Sequence, residues 1–201
     1  DPAHSTHIVR SSTTPDTLLG VSEYPQLIVN QTRVADYLAQ FAERSPARGA
    51  VDYGWEFTGL DVGTEGEYPV AVHLLRSAGP DQGQTRTIHA RTVVGADGAR
   101  SRVRSSIGGQ LQGDQAFHAW GVMDVLADTD FPDIRRKSVI QSGDGGNILL
   151  IPREGNHLVR MYVDLGEVDP EDAGKVRGTT IEGIIARAAS ILHPYSLDVR
   201  D

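Results

Sequence analysis

The stretch that most constrains the fold of this chain is VVGADGARSRVR, residues 93–104. Thr92, Val93 and Val94 predict a short buried strand, Gly-Ala-Asp-Gly follows it, and a basic, Ser-containing segment then begins a predicted helix. This order places Asp97 at the carboxyl end of a strand, among small residues that let backbone approach a ligand. Open α/β sheets bind ligands at such strand ends, so the stretch indicates a ligand site. An isolated Asp-Gly pair is more often only a turn.

Composition excludes several classes of protein. The 201 residues are 39% apolar and 23% charged, which fits a soluble globular chain of one large or two small domains. The formal net charge of −8 argues against a nucleic-acid partner. The absence of cysteine excludes disulfides and thiolate sites, and the scattered histidines predict no metal site. No apolar run approaches the ~20 residues that span a bilayer, so we expect no membrane partner and a cytoplasmic protein.

The first half of the chain combines a helix with antiparallel strands. Apolar residues at helical spacing predict a helix from Gln31 to about Arg44. Alternation of apolar and polar residues predicts a half-buried strand over 51–58, and two further strands are predicted at 70–75 and 85–90.

The second half reads as an antiparallel meander with a helix. Four segments have strand character: 119–126, 138–142, 147–151 and 158–165. A tight turn is predicted at 143–146 and a charged loop at 170–178. Thr179 and Glu182 form a capping-box pattern before an apolar helical face, and Pro194 ends the helix. The predicted fold class is therefore α+β.

Three motifs resemble one family. They are VNQTRV (residues 29–34), the Asp97 stretch, and the pair of segments AWGVMDVLADTDFPDIRRK (119–137) and IPREGNHLVRMYVDL (151–165). Together they resemble the class A flavoprotein aromatic hydroxylases, which have a fold like that of para-hydroxybenzoate hydroxylase. The third motif is similar to the phenol 2-monooxygenase branch of that family.

The resemblance implies a set of cofactor-binding residues. Gln31 matches a glutamine that reaches the flavin nucleotide, and Asp97 matches an aspartate near both the flavin and the nicotinamide cofactor. Gly98 and Arg100 are predicted to bind the cofactor with them. The alternatives are an ordinary exposed Gln in a first helical turn and a solvated basic turn.

The resemblance also implies a substrate site. Arg153, after Ile-Pro, and Tyr162, on the next strand, match residues that line the phenol pocket, although one extra residue lies between them here. A Tyr hydroxyl can exchange a hydrogen bond with the phenolic oxygen, and an Arg can stabilise a phenolate or hold a ring carboxylate. The resemblance to that branch also implies a catalytic base, an aspartate of the N-terminal part, and that residue is not in this chain. The alternative is a solvated strand face.

The chain contains no G-x-G-x-x-G sequence, whereas the family opens with a Gly-rich βαβ unit. We therefore expect the 201 residues to be the central part of a longer protein. Residues 1–110 would form an incomplete FAD-binding α/β lobe. Residues 111–201 would form an antiparallel β-sheet substrate lobe with a packed helix, itself incomplete.

The function that the resemblance implies is hydroxylation of a phenolic aromatic by molecular oxygen through a flavin C4a-hydroperoxide, with FAD and NAD(P)H as cofactors. Two alternatives stay open. One is a hydroxylase of a polycyclic aromatic or polyketide, and the other is a non-catalytic ligand-binding module. The oligomeric state is also open, with a homodimer among the alternatives.

Overall fold

The computed structural model describes residues 8–114, 116–143, 146–169 and 178–200. The described chain is α+β with antiparallel sheets, so the predicted class is confirmed. It forms two compact units, one of residues 37–114 and one of residues 1–36 together with 115–201. Positions 144–145 of the predicted turn and 170–177 of the predicted loop lie outside the described residues. No helix in the described ranges is long and apolar enough to cross a membrane.

The first helix, α1 (Gln31–Arg44), has the predicted bounds. Asn30 begins it, because its Oδ1 accepts a hydrogen bond from the Thr32 amide at 2.9 Å. The apolar residues of α1 lie at helical spacing as predicted, but no residue of the helix is buried in this structure.

The unit of residues 37–114 contains a three-stranded antiparallel sheet in the order β1-β2-β3. Its strands are β1 (Trp55–Val62), β2 (Val70–Arg76) and β3 (Thr85–Ala90). Helix α2 (Arg102–Ser106) packs against β1. The predictions for β2, β3 and a helix after Asp97 are therefore confirmed.

The predicted start of the first strand is wrong. Val51 and Tyr53 lie before β1 and are exposed, although their alternation fits a strand. Gly54 has a φ of +80°, which interrupts extended backbone between them and Trp55. Arg76 Nη1 donates to the Tyr53 carbonyl at 2.7 Å and fixes this bend.

The predicted buried strand at Thr92–Val94 is also wrong. These residues form no strand, and Val94 is 84% exposed. A strand needs a hydrogen-bonded neighbour, and no strand among the described residues pairs with this segment. Asp97 therefore follows an irregular segment instead of a sheet edge.

The second unit is built on a five-stranded antiparallel sheet in the order β5-β6-β7-β4-β8. The strands are β4 (His118–Asp128), β5 (Ser138–Ser142), β6 (Gly146–Pro152), β7 (Val159–Glu167) and β8 (Asp198–Arg200). The first four confirm the predicted strands. Strands β5, β6 and β7 form a meander as predicted, but β4 pairs with β7 and not with β5, so the predicted meander is wrong for β4. Strand β8 was not predicted, because three residues carry too little periodicity.

Helix α3 (Ile181–Leu192) covers one face of this sheet. Thr180 caps it by accepting from the Gly183 amide at 3.2 Å, so the predicted cap at Thr179 is wrong by one residue. Alternate residues of the strands, such as Leu150 and Met161, are fully buried against α3. The other residues of each strand form the opposite face, which we call the open face.

Gly121 of β4 lies directly against α3, because a Cβ there would lie 2.8 Å from Ile184 Cγ2. We expect Gly121→Ala to lower the free energy of unfolding by roughly 1–3 kcal/mol, since the β-branched Ile184 has little rotamer freedom in a helix. Urea unfolding measures the loss. Gly59→Ala is the control, because its Cβ would meet nothing within 4 Å. Equal stability of both variants would contradict the packing.

Candidate active site

Strand β7 carries three polar side chains on the open face, because side chains two residues apart point to the same side of a strand. They are Arg160, Tyr162 and Asp164, and the residues between them belong to the core. In the register with β4, Arg160 lies opposite Asp124 and Tyr162 lies opposite Val122. The open face is therefore polar along β7 and partly apolar along β4.

Asp124 is the centre of a connected polar group. Arg160 donates from Nε to Asp124 Oδ1 at 2.8 Å and from Nη2 to Oδ2 at 2.7 Å. Arg153 Nε lies 3.8 Å from the same Oδ1. The hydrogen bonds from Arg160, with the charges of both arginines, lower the pKa of Asp124 below its usual range. The carboxylate thus stays ionised and fixes the Arg160 guanidinium through two hydrogen bonds.

Tyr162 joins this group through Arg160. The hydrogen bonds to Asp124, together with the interaction with Tyr162, raise the pKa of Arg160 above its ordinary value. Tyr162 itself is half-buried. The structure therefore brings together the two predicted substrate residues, Arg153 and Tyr162, through Asp124 and Arg160. We call these four residues the Asp124 group.

Asp124 and Arg160 were not among the predicted site residues. Their alternation places each on a strand face, but the register that pairs them joins positions 36 residues apart. Arg153 differs from Arg160 in its contacts, since among the described residues its guanidinium makes ion-pair contacts alone, at 3.8 Å to Asp124 and 3.6 Å to Glu154. Those distances exceed the range of a hydrogen bond, so Arg153 keeps donors for a ligand.

The Asp97 loop in the other unit is organised by the Asp97 carboxylate. Ser101 Oγ donates to Oδ1 at 2.5 Å, and the amides of Arg102 and Val103 donate to Oδ2 at 2.7 and 3.2 Å. The bond from Ser101 contributes most to lowering the pKa of Asp97. Asp97 thus holds the start of α2 in place.

The same loop presents groups that suit a nucleotide. Gly98 has a φ of +79° with nothing within 4 Å of the place of a Cβ, and Arg100 is exposed. The backbone at Gly98 is therefore accessible, and Arg100 is suited to a phosphate. A cavity of about 410 Å³, with largely aliphatic walls from β1, β2 and α2, adjoins the loop.

The remaining predicted cofactor residue, Gln31, is the exposed first residue of α1. It belongs to the unit that contains the Asp124 group, whereas Asp97, Gly98 and Arg100 belong to the other unit. Within the described residues, therefore, the structure groups three of the four predicted cofactor residues in one loop.

Comparison with known proteins identifies the family. The family model described as FAD binding domain matches residues 3–200. The chain therefore belongs to the FAD binding domain family of the flavoprotein aromatic hydroxylases, which confirms the resemblance and the predicted FAD cofactor.

Two relatives refine the comparison. The chain is 48% identical over 204 residues to 3-hydroxybenzoate 4-monooxygenase of Comamonas testosteroni, with 100% of this chain and 32% of the relative covered. It is 39% identical over 112 residues to phenol 2-monooxygenase fsqG of Aspergillus fumigatus, with 56% of this chain and 19% of the relative covered. The chain thus spans a third or less of the length of both relatives.

A solved structure supports the fold. The crystal structure of AlpK superposes with a TM-score of 0.54 and 23% sequence identity, covering 85% of this chain and 33% of that chain.

Proposed function

We propose that this chain is the central part of an FAD-dependent, NAD(P)H-using monooxygenase that hydroxylates a phenolic aromatic. The observation that carries the proposal is the Asp124 group, a Tyr hydroxyl and two guanidinium groups on the open face of a sheet in an FAD binding domain family member. When bound, FAD supplies the activation of molecular oxygen, with electrons from NAD(P)H. The residues of this chain position and polarise the substrate.

Tyr162 is suited to hold the phenolic oxygen. Tyr162 lies beside Arg160 on the open face and interacts with it electrostatically. The Tyr162 hydroxyl can donate to the oxygen of the substrate. Asp124 fixes Arg160 through two short bonds, so the positive charge beside Tyr162 has a defined position. Donation to the phenolic oxygen stabilises negative charge as the ring becomes electron-rich.

Arg153 is suited to hold a second, anionic substituent. The Comamonas relative is named for 3-hydroxybenzoate, an aromatic that carries both a hydroxyl and a carboxylate. Planar guanidinium donors match the geometry of a carboxylate. We therefore favour a hydroxybenzoate over a polycyclic aromatic as the substrate.

Gln31, Asp97, Gly98 and Arg100 form the proposed cofactor contribution of this chain. Asp97 holds the start of α2 through hydrogen bonds from Ser101, Arg102 and Val103, which fixes the loop that carries Gly98 and Arg100. Residues 1–110 would then supply part of the FAD-binding lobe and residues 111–201 the β-sheet of the substrate lobe.

The experiment that tests this function uses the full-length enzyme loaded with FAD. We expect phenol or 3-hydroxybenzoate to stimulate NAD(P)H oxidation, with oxygen consumed and hydroxylated product formed in near-equal amounts. Oxygen electrode traces and product chromatography measure the ratio. Binding of 3-hydroxybenzoate without any NAD(P)H oxidation would instead establish a ligand-binding module. Turnover only of polycyclic phenols would establish the other alternative.

A further inference from the structure

A row of aliphatic side chains crosses the open face at the position of Tyr162. In the strand register, Tyr162 of β7 lies between Val122 of β4 and Leu149 of β6. Val139 of the edge strand β5 lies opposite Leu149 and ends the row. Directly opposed side chains in an antiparallel pair have Cβ atoms about 4.5–5.5 Å apart. Tyr162 therefore has an aliphatic neighbour within contact distance on each side.

Polar groups bound this row in both directions along the strands. Two residues before Tyr162, Arg160 is bonded to Asp124. Two residues after Tyr162, the buried carboxylate of Asp164 accepts a hydrogen bond from Asn147 Nδ2 at 2.7 Å. Two residues of a strand span about 7 Å. The nearest neighbours of Tyr162 on its own strand face are therefore charged, and its aliphatic neighbours lie across the strands.

The contacts of Arg153 favour the β4 side of the row. Arg153 Nε lies 3.8 Å from Oδ1 of Asp124, which follows Val122 by two residues on the same face of β4. A substrate with its hydroxyl at Tyr162 and its carboxylate at Arg153 therefore lies over the β4–β7 pair, next to Val122. Val122 is also 52% exposed, whereas Leu149 is half-buried, so Val122 offers the larger free surface.

We propose that Val122 is a specificity-determining residue that contacts the aromatic ring of the substrate. Its two methyl groups lie against the ring and hold it beside the Tyr162 hydroxyl. Its small size leaves room over β4 for a second substituent that points along the strand toward Arg153. The inference rests on the proposed function and adds the residue that limits the bulk of the substrate on the β4 side.

The test enlarges Val122 in the full-length, FAD-loaded enzyme. The added ring of Val122→Phe fills the space that we assign to the substrate, so we expect the dissociation constant of 3-hydroxybenzoate to rise about ten- to hundredfold. Isothermal titration calorimetry measures this constant, and kcat/KM for hydroxylation should fall by a similar factor. An exposed strand position that serves only the fold accepts Phe, which favours strands, so a structural role predicts no loss.

Val139→Phe is the matched control. Val139 has the same side chain in the same row of the open face and is 75% exposed, but it lies two strands away from Tyr162. Its variant should bind 3-hydroxybenzoate as wild type does. Val122→Ala removes the two methyl groups and should also weaken binding, by about tenfold. Its kcat should change less, because bound substrate and transition state make the same contact.

Each outcome decides between the two hypotheses. Circular dichroism and flavin absorbance check the fold and FAD content, and Val122→Ala decides in place of Val122→Phe if the larger residue disturbs either. Wild-type affinity in the deciding variant, in an enzyme that hydroxylates phenols, would overturn the role of Val122 alone. An equal loss in Val139→Phe would place the ring over β5 and β6 and overturn it as well. A wild-type enzyme that neither binds 3-hydroxybenzoate nor hydroxylates any phenol would overturn the proposed function and this inference with it.

Discussion

Replacing Tyr162 by Phe in the full-length enzyme is expected to slow hydroxylation about ten- to hundredfold. The change removes one hydroxyl and keeps the ring, so the packing of β7 should survive. A lost hydrogen bond to a charged or partly charged oxygen costs roughly 1.5–3 kcal/mol, which gives this range of rates. Binding of the substrate should weaken less, because the aromatic contact persists. Rapid-mixing measurement of the hydroxylation step separates the two effects.

The amount of product formed per NAD(P)H oxidised is a second readout for Tyr162→Phe. A poorly polarised ring reacts slowly, so more of the reduced oxygen should leave as peroxide and less product should form per NAD(P)H oxidised. Tyr24→Phe is the matched control, since Tyr24 is 77% exposed and remote in sequence from β7. If the hydroxylation rate and product yield of Tyr162→Phe both equalled those of wild type, Tyr162 would be only a strand-face residue.

The strands of the second unit could be predicted from sequence because one buried face imposes a strong period of two. The place of β4 beside β7 could not, because it depends on pairing between distant segments. Ser138–Ser142 matches its predicted bounds, and the strand predicted at 158–165 differs from β7 by one residue at its start and two at its end. Helix α1 was predictable for the same kind of reason, through apolar residues at helical spacing after an Asn cap. In the strands the local pattern agrees with burial in the folded unit, and in α1 it agrees with the helix cap.

The wrong strand predictions occur where a segment with a strand-like pattern has no neighbouring strand to pair with. Val51 and Tyr53 alternate like a strand, but the bend at Gly54 removes them from the sheet. Thr92–Val94 is apolar enough for a buried strand, yet no described strand pairs with it. Whether a segment forms a strand depends on a neighbouring strand as well as on its own residues, so the local sequence does not predict either outcome.

The residues of the candidate site also differ in whether the local sequence or the pairing of strands decides their position. Arg153 and Tyr162 were predicted from a family resemblance, and alternation alone placed Arg160 beside Tyr162. The carboxylate that connects them, Asp124, depends on how β4 aligns with β7. A shift of one residue in that register would move Asp124 to the opposite face of the sheet. Strand register across such a separation is set by the packed core, which a single sequence does not reveal.

Replacing Arg153 by Met should distinguish the two arginines of the Asp124 group. Arg160 is held by Asp124 through two short hydrogen bonds, whereas the contacts of Arg153 within the described part of the chain are longer ion pairs that leave donors for a substrate carboxylate. We therefore expect kcat/KM for 3-hydroxybenzoate to fall about ten- to hundredfold, the loss of a charge-assisted hydrogen bond of roughly 1.5–3 kcal/mol. Phenol has no carboxylate, so its kcat/KM should change far less.

The comparison of phenol with 3-hydroxybenzoate separates a loss of carboxylate binding from a general loss of structure. Met keeps most of the length and apolar packing of the Arg side chain, so a general loss of structure should not favour one substrate. Arg160→Met should impair both substrates, because it also releases Asp124 and Tyr162. Arg136→Met is the control, since that side chain is 65% exposed and pairs only with Asp133 among the described residues. Equal losses for phenol and 3-hydroxybenzoate in Arg153→Met would mean that Arg153 stabilises the phenolate or the β6–β7 hairpin, and that the carboxylate binds elsewhere.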